Sequence, residues 1–394
     1  MRIGVIAHPK YRISEPYAGG LEMHTAMLVR GLRARGHDVT LFATEQSNPS
    51  LLGEAISRQT AMDELGTAEI SDVVFFREHH AYLDLMMRLR SASFDIVHNN
   101  SLHYLPVSMA GCLPMPMITT LHTPPVGWLE SGIRVSAASN DGFVAVSNAI
   151  ARGWSSIVPH AHVIHNGIDL NNFQFVAEPD PDDYLIWFGR IVPEKGLACA
   201  IDAACATDSS LVIAGPKSDR GYFDTFIGPR LNDRIRYAGH LDHLTLARLV
   251  GGARAFVCTP MWEEPYGLVV AEALACGTPV VAFDRGALRE ILTQDSGILV
   301  PAGNTEALAG GIRGIGRVSR NEARRRAENF CDVRSMVEKY EALYLQSIAE
   351  YCTHEGIGQR LAQVSHQQPS SRKDPIGTVP VIIPLAETAG GALQ

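Results

Sequence analysis

The sequence has no apolar run long enough to span a bilayer, no excess of basic charge, no paired cysteine spacing and no G-x-G-x-x-G fingerprint, and each absence removes a class of protein. Its most apolar windows, 105–121 and 268–283, are interrupted by prolines, glycines or Glu272, whereas a membrane helix needs about 20 consecutive apolar residues. A formal net charge of -8, with no basic stretch interleaved with aromatics, argues against nucleic acid as a partner. The cysteines are 7, an odd number, and scattered without the spacing of a zinc site, which reads as reduced thiols in a cytoplasmic protein. The apolar stretch at 3–7 is cut short by His8 and Pro9, too soon for a signal peptide. The missing fingerprint weakens a dehydrogenase reading. No short period marks a solenoid or propeller.

What is present is an ordinary globular composition, 46% hydrophobic and 19% charged, over 394 residues, enough for two or three domains with cores of their own. Short apolar runs alternate with amphipathic stretches, the pattern of parallel sheets covered by helices, so the expected class is α/β. In the first half, strands are expected at 3–7, 38–43, 73–76, 96–98, 117–121, 142–146 and 162–165, with a helix over 21–35 closed by Gly36. A polar, Pro/Asp-rich stretch at 178–183 reads as a linker. Strands resume at 184–188, 211–214, 235–238, 255–258 and 279–283, and a last helix covers 332–350. The implied organisation is a Rossmann-like domain over 1–175, a second over 176–335, a crossover helix over 336–353 and a flexible, Gln/Ser/Pro/Gly-rich segment over 354–394, in which only 379–385 reads as an added strand. The stretch 77–90 reads as a packed helix, with an amphiphilic acceptor surface as the alternative.

The densest chemistry lies in 259–282, which reads strand end, loop, helix, strand. Pro265, Tyr266, Gly267 and Leu268 fall where the helix begins, so unpaired N–H groups and the helix dipole there suit a diphosphate. Glu264 precedes that helix and Glu272 falls about two turns inside it; a carboxylate accepts two hydroxyl hydrogens at once, which fits sugar and ribose hydroxyls. The segment Phe188-Gly-Arg-Ile-Val-Pro-Glu-Lys-Gly196 puts Arg190 and Lys195 on a loop at the carboxyl edge of a sheet, where ligands collect in open α/β folds. Gly19 and Gly20, just ahead of the first helix, permit close approach of backbone to an anion. His122 and His98 each stand at a strand end. Asp180-Pro-Asp182 spells a metal-binding carboxylate pair, but its linker position reads as a solvated turn.

Two glutamates with seven residues between them, in a Glu-Pro-Tyr-Gly-Leu context, resemble the fourth family of retaining glycosyltransferases, which have the GT-B fold of two Rossmann-like domains facing a cleft. The resemblance extends to about Glu350 and includes a C-terminal helix crossing back onto the first domain. It implies transfer of a hexosyl group, with retained configuration, from a UDP- or GDP-linked sugar to a glycan, lipid or small-molecule acceptor, without metal or further cofactor. Arg190 and Lys195 would then face the donor diphosphate, Gly19 and Gly20 the donor phosphate or acceptor, Glu272 the ribose, and Glu264 and His122 the transferred sugar. Ser147 and Asn166-Gly167 match positions near the cleft and hinge, and Ser147 and His98 are expected to line the acceptor pocket, with a core role for His98 the alternative. Arg285-Gly286-Ala287 departs from the two glycines more frequent there. A sugar-nucleotide epimerase or a phosphorylase on the same fold, and a non-catalytic nucleotide-sugar binder, stay open as readings. The setting expected is cytoplasmic, with peripheral contact to a membrane.

Overall fold

The computed structural model describes residues 1–56, 72–136 and 142–365, with side chains through 353. Seven parallel strands make the first sheet: β1 (Arg2–Ile6), β2 (Asp38–Ala43), β3 (Leu52–Ala55), β4 (Ile96–Asn99), β5 (Met117–Leu121), β6 (Phe143–Ala145) and β7 (His162–Val163), in the order β3-β2-β1-β4-β5-β6-β7. Six parallel strands make the second: β8 (Tyr184–Phe188), β9 (Ser210–Ala214), β10 (Ile235–Gly239), β11 (Ala255–Cys258), β12 (Val280–Phe283) and β13 (Gly297–Val300), in the order β10-β9-β8-β11-β12-β13. The inner strands β4, β8, β11 and β12 are buried at every position because helices cover both faces, and β8, β11 and β12 read as continuous apolar runs.

The strand order decides where a ligand can sit. Each sheet grows outward in both directions from its first strand, β1 lying between β2 and β4 and β8 between β9 and β11. At such a reversal the loops leave the carboxyl ends of neighbouring strands on opposite faces and open a crevice. The loops after β1 and β8 carry Gly19-Gly20 and Arg190 to Lys195, and the loop after β11 carries Glu264 to Gly267.

The helix Val333–Ser365, longer than the 332–350 expected, returns to the first sheet. Tyr340 and Tyr344 are fully buried, and Glu341 takes hydrogen bonds from Arg35 and His37, both at 2.8 Å. Residues 178–183 form an exposed turn before β8. Among the described residues no helix is long and apolar enough to cross a membrane.

The structure departs from expectation in two places. Residues 73–76 are not a strand but open the helix Val73–Leu89, capped by the Asp72 carboxylate on the Phe75 N–H at 2.9 Å. The run Val-Val-Phe-Phe has strand-like composition, but the buried positions that follow, Ala81, Tyr82, Leu85, Met86 and Leu89, have helical spacing and decide the outcome. The edge strands β3 and β13 were not expected: Leu-Gly-Glu-Ala and Gly-Ile-Leu-Val carry weak strand signals, and pairing with β2 and β12 makes them strands. The candidate strand at 379–385 lies outside the described residues.

Candidate active site

Two loops of the second sheet are stitched into one unit. The Thr259 hydroxyl, at the end of β11, donates to the carbonyls of Gly196 at 2.9 Å and Lys195 at 3.2 Å, while the Met261 N–H donates to the Glu194 carbonyl at 2.8 Å. This fixes the turn Pro193–Lys195 beside the loop that carries Glu264. Lys195 Nζ lies 2.6 Å from Glu264 Oε2, and the Trp262 indole N–H donates to the same oxygen at 3.0 Å. Lys195 also stands 5.1 Å from the centre of the Trp262 ring, so the cation is held by a carboxylate and an aromatic face together.

Beyond Glu264 the chain enters the helix Leu268–Ala275 through Gly267, whose φ of 101° lies in the left-handed region. A Cβ there would stand 2.5 Å from Leu288 Cδ2, so both conformation and space call for glycine. The Val270 and Ala271 N–H groups bond back to the Gly267 carbonyl, which leaves the N–H groups of Leu268 and Val269 ahead of the first helical bond and available to an anion. Glu272 is the fifth residue of this helix, little more than one turn in rather than two. It is 5% exposed, and burial, with no opposing cation, raises its pKa to about 8, so the protonated form prevails at neutral pH.

The first sheet brings its own loop against this one. A Cβ on Gly20 would stand 2.9 Å from Leu268 Cδ1, so the glycine pair meets the start of the helix directly. Glu22, two residues on, is buried; burial raises its pKa, opposed by its own N–H, by the charge of Arg190 and by the Gly19 N–H. Arg190 is exposed, and among the described residues no hydrogen bond or ion pair engages its guanidinium.

His122 follows β5 directly and is nearly buried; its Nε2 lies 2.8 Å from Asn100 Oδ1 and its ring packs edge-on against His24 at 4.9 Å between centres. Burial, then the neighbouring His24 and His98, hold its pKa well below the usual histidine value, so it is a neutral imidazole. His24 is 1% exposed, and burial, opposed by the Asn166 side chain, brings its pKa down to about 4.

Three expected roles are corrected. His98 lines no pocket: it is fully buried, with Nδ1 2.5 Å from the Tyr344 hydroxyl and Nε2 2.7 Å from the Thr120 hydroxyl, so both nitrogens are used inside the core. Ser147 is likewise not open to an acceptor; its hydroxyl donates to the Pro265 carbonyl at 2.6 Å and accepts from the Ile150 N–H at 3.1 Å. The Tyr266 side chain turns inward, 2% exposed with its ring 6.2 Å from that of His165, leaving backbone as its contribution to the cleft. Trp262, Glu22 and Asn100 join the site; of the three, local spacing marks only Trp262, which stands two residues before a loop carboxylate.

Residues 18–172 match the family described as Glycosyltransferase Family 4, and residues 169–329 match Glycosyl transferases group 1. A phosphatidyl-myo-inositol mannosyltransferase of Mycobacterium leprae is 29% identical over 329 residues, spanning 78% of this chain and 86% of that protein. Among solved structures, sucrose-phosphate synthase from Thermosynechococcus elongatus superposes with a TM-score of 0.71 at 20% identity, covering 89% of this chain and 100% of that one. Anabaena HepE, solved in complex with UDP and glucose, gives a TM-score of 0.66 at 17% identity, covering 87% and 98%.

Proposed function

This chain belongs to the glycosyl transferases group 1 and is a glycosyltransferase of GT-B fold, and on that premise we propose that it moves a hexosyl group from a UDP- or GDP-linked sugar to a glycan, lipid or small-molecule acceptor with retained configuration. The observation that carries this reading is the convergence, at the carboxyl edge of the second sheet, of Arg190, the Lys195–Glu264 pair and the N–H groups of Leu268 and Val269 that precede the first helical bond. Fixed cations and oriented N–H groups favour the charge that gathers on a departing diphosphate. The mannosyl transfer in the name of the M. leprae relative and the UDP and glucose held by HepE support a hexose nucleotide as donor.

In this reading residues 176–335 hold the donor and residues 1–175 the acceptor. The bond between the anomeric carbon and the diphosphate oxygen breaks, and Arg190, Lys195 and the helix N-terminus hold the resulting oxyanion. Glu264 and His122 orient the sugar, with His122 neutral and so able to accept or donate one hydrogen bond. Glu272 meets the ribose hydroxyls. The acceptor oxygen bonds to the same face of the anomeric carbon while its proton passes to the departing phosphate, so no residue becomes glycosylated. The seven free thiols support a cytoplasmic setting.

Thermal stabilisation by UDP, GDP, ADP and their hexose conjugates, on the native protein and on Glu272→Gln, tests the reading. A ligand at a hundred times its Kd adds about 2.7 kcal/mol to folded stability. One base is expected to give a selective shift that shrinks in the variant; no shift with any nucleotide contradicts the proposal.

A further inference from the structure

Glu290 has no part in the chemistry above, yet its carboxylate makes four hydrogen bonds to the other half of the chain. Oε2 accepts from the Asn148 N–H, from Asn148 Nδ2 and from His165 Nε2, and Oε1 accepts from the Ala149 N–H, each at 2.8 Å. Asn148 and Ala149 open the helix that follows β6 of the first sheet, whereas Glu290 lies on the short helix Leu288–Ile291 after β12 of the second. Burial pushes this carboxyl upward, but the bonds from His165, Asn148 and Ala149 outweigh it and bring its pKa to about 2, so the group is an anion at any working pH.

The same helix start is tied to the donor loop. Ser147, its cap, donates to the Pro265 carbonyl at 2.6 Å. The residues ahead of Glu290 hold the loop from the other side: the Ala287 N–H donates to the Glu264 carbonyl at 2.9 Å, and the Gly286 N–H to Glu263 Oε2 at 2.9 Å. The hydrogen bonds therefore run in a closed ring from Glu264 and Pro265 to Ser147, Asn148 and Ala149, across to Glu290 and back through Ala287. No member of the ring can shift without loosening the bonds that place Glu264 and the N-terminus of Leu268–Ala275 opposite Gly20.

We propose that Glu290 is a positioning residue, which clamps the donor loop of the second sheet to the first domain and so assembles the two halves of the transferase site. The proposal rests on the functional reading above for what the loop binds, but not for the clamp itself. A carboxamide keeps one acceptor oxygen and replaces the other with an N–H donor, so Glu290→Gln sets donor against donor either at Ala149 or at Asn148 and His165, and removes the charge while keeping size. Ser147→Ala cuts the second tie and serves if the first variant folds poorly.

The experiment measures three quantities on native protein, Glu290→Gln and Ser147→Ala: radius of gyration by small-angle scattering, UDP and GDP affinity by calorimetry, and kcat with a hexose nucleotide. The variants are expected to expand and to lose at least about tenfold in kcat, since misplacement of reacting groups is costly, while nucleotide affinity stays within about twofold because Arg190, Lys195, Glu272 and the helix start at Leu268 all lie on the second domain. Native-like radius and kcat in a folded Glu290→Gln would overturn the clamp, as would a loss of affinity that matches the loss of kcat. Absence of nucleotide binding by the native protein would instead refute the functional reading, with the scattering comparison still deciding the clamp.

Discussion

Lys195 Nζ and Glu264 Oε2 lie 2.6 Å apart, with side chains 21% and 11% exposed, so the cation assigned to the diphosphate and the carboxylate assigned to the sugar hold each other in place. Removing either leaves the other in a site of reduced solvation. Lys195→Ala is expected to lower kcat by roughly 100- to 1000-fold, the range for removing one fixed group that stabilises developing charge. The double variant with Glu264→Gln should lose less than the product of the single losses, because the two groups act as a unit. Steady-state kinetics of the three variants checks this, and multiplicative losses would mean that the pair does not work together.

The burial of Glu272 has a consequence for stability. Its folded pKa of about 8 lies above the ordinary 4.5, so between those values the unfolded chain loses this proton and the native protein keeps it. Stability from this group therefore falls as pH rises from about 4.5 to about 8. Glu272→Gln, which cannot ionise, should show a smaller decline in urea midpoint between pH 5 and pH 8 than the native protein. Equal declines would place the native Glu272 pKa near its ordinary value.

Nucleotide binding should act on the same proton. Ribose hydroxyls donating to Glu272 favour the carboxylate, so binding at pH 7 should release protons, seen as a calorimetric enthalpy that changes between two buffers of different ionisation heat. Glu272→Gln should remove that buffer dependence. A native enthalpy independent of buffer would contradict the ribose role.

The hydrogen bond between His98 Nδ1 and the Tyr344 hydroxyl ties β4 to the last helix inside the core. Tyr344→Phe leaves a buried ring nitrogen without its partner, at a cost of about 1–3 kcal/mol in folding stability. The KM for acceptor should stay the same, because His98 is enclosed. A raised acceptor KM with unchanged stability would return His98 to the acceptor pocket.

The sequence was most legible where backbone and side chain obey one local rule. The apolar runs that became β1, β2, β5, β8 and β11, and the Gly267 entry to a helix, follow from strand period and helix-cap chemistry alone. Residues 73–76 misled because a four-residue apolar run fits a buried strand or a helix start equally well, and only the later buried positions distinguish them. The sites at Ser147, His98 and Tyr266 were legible as places in the chain but not as directions of side chains. Each points toward a partner more than 70 residues away, Pro265, Tyr344 and His165 respectively, and no local spacing reports such a contact. Glu290 escaped notice for the same reason, since its four donors lie in the other half of the chain.

In the proposed function, the loop joining β11 to its helix, with Lys195 beside it, activates a nucleotide hexose for transfer. The most direct test is release of nucleoside diphosphate from UDP- and GDP-hexoses, followed by mass spectrometry, for the native protein and for Lys195→Ala. Release from donors of one base by the native protein is expected, with a rate lowered roughly 100-fold or more in the variant; release from none of the donors, or at equal rates by both proteins, rules out this role for the loop and Lys195.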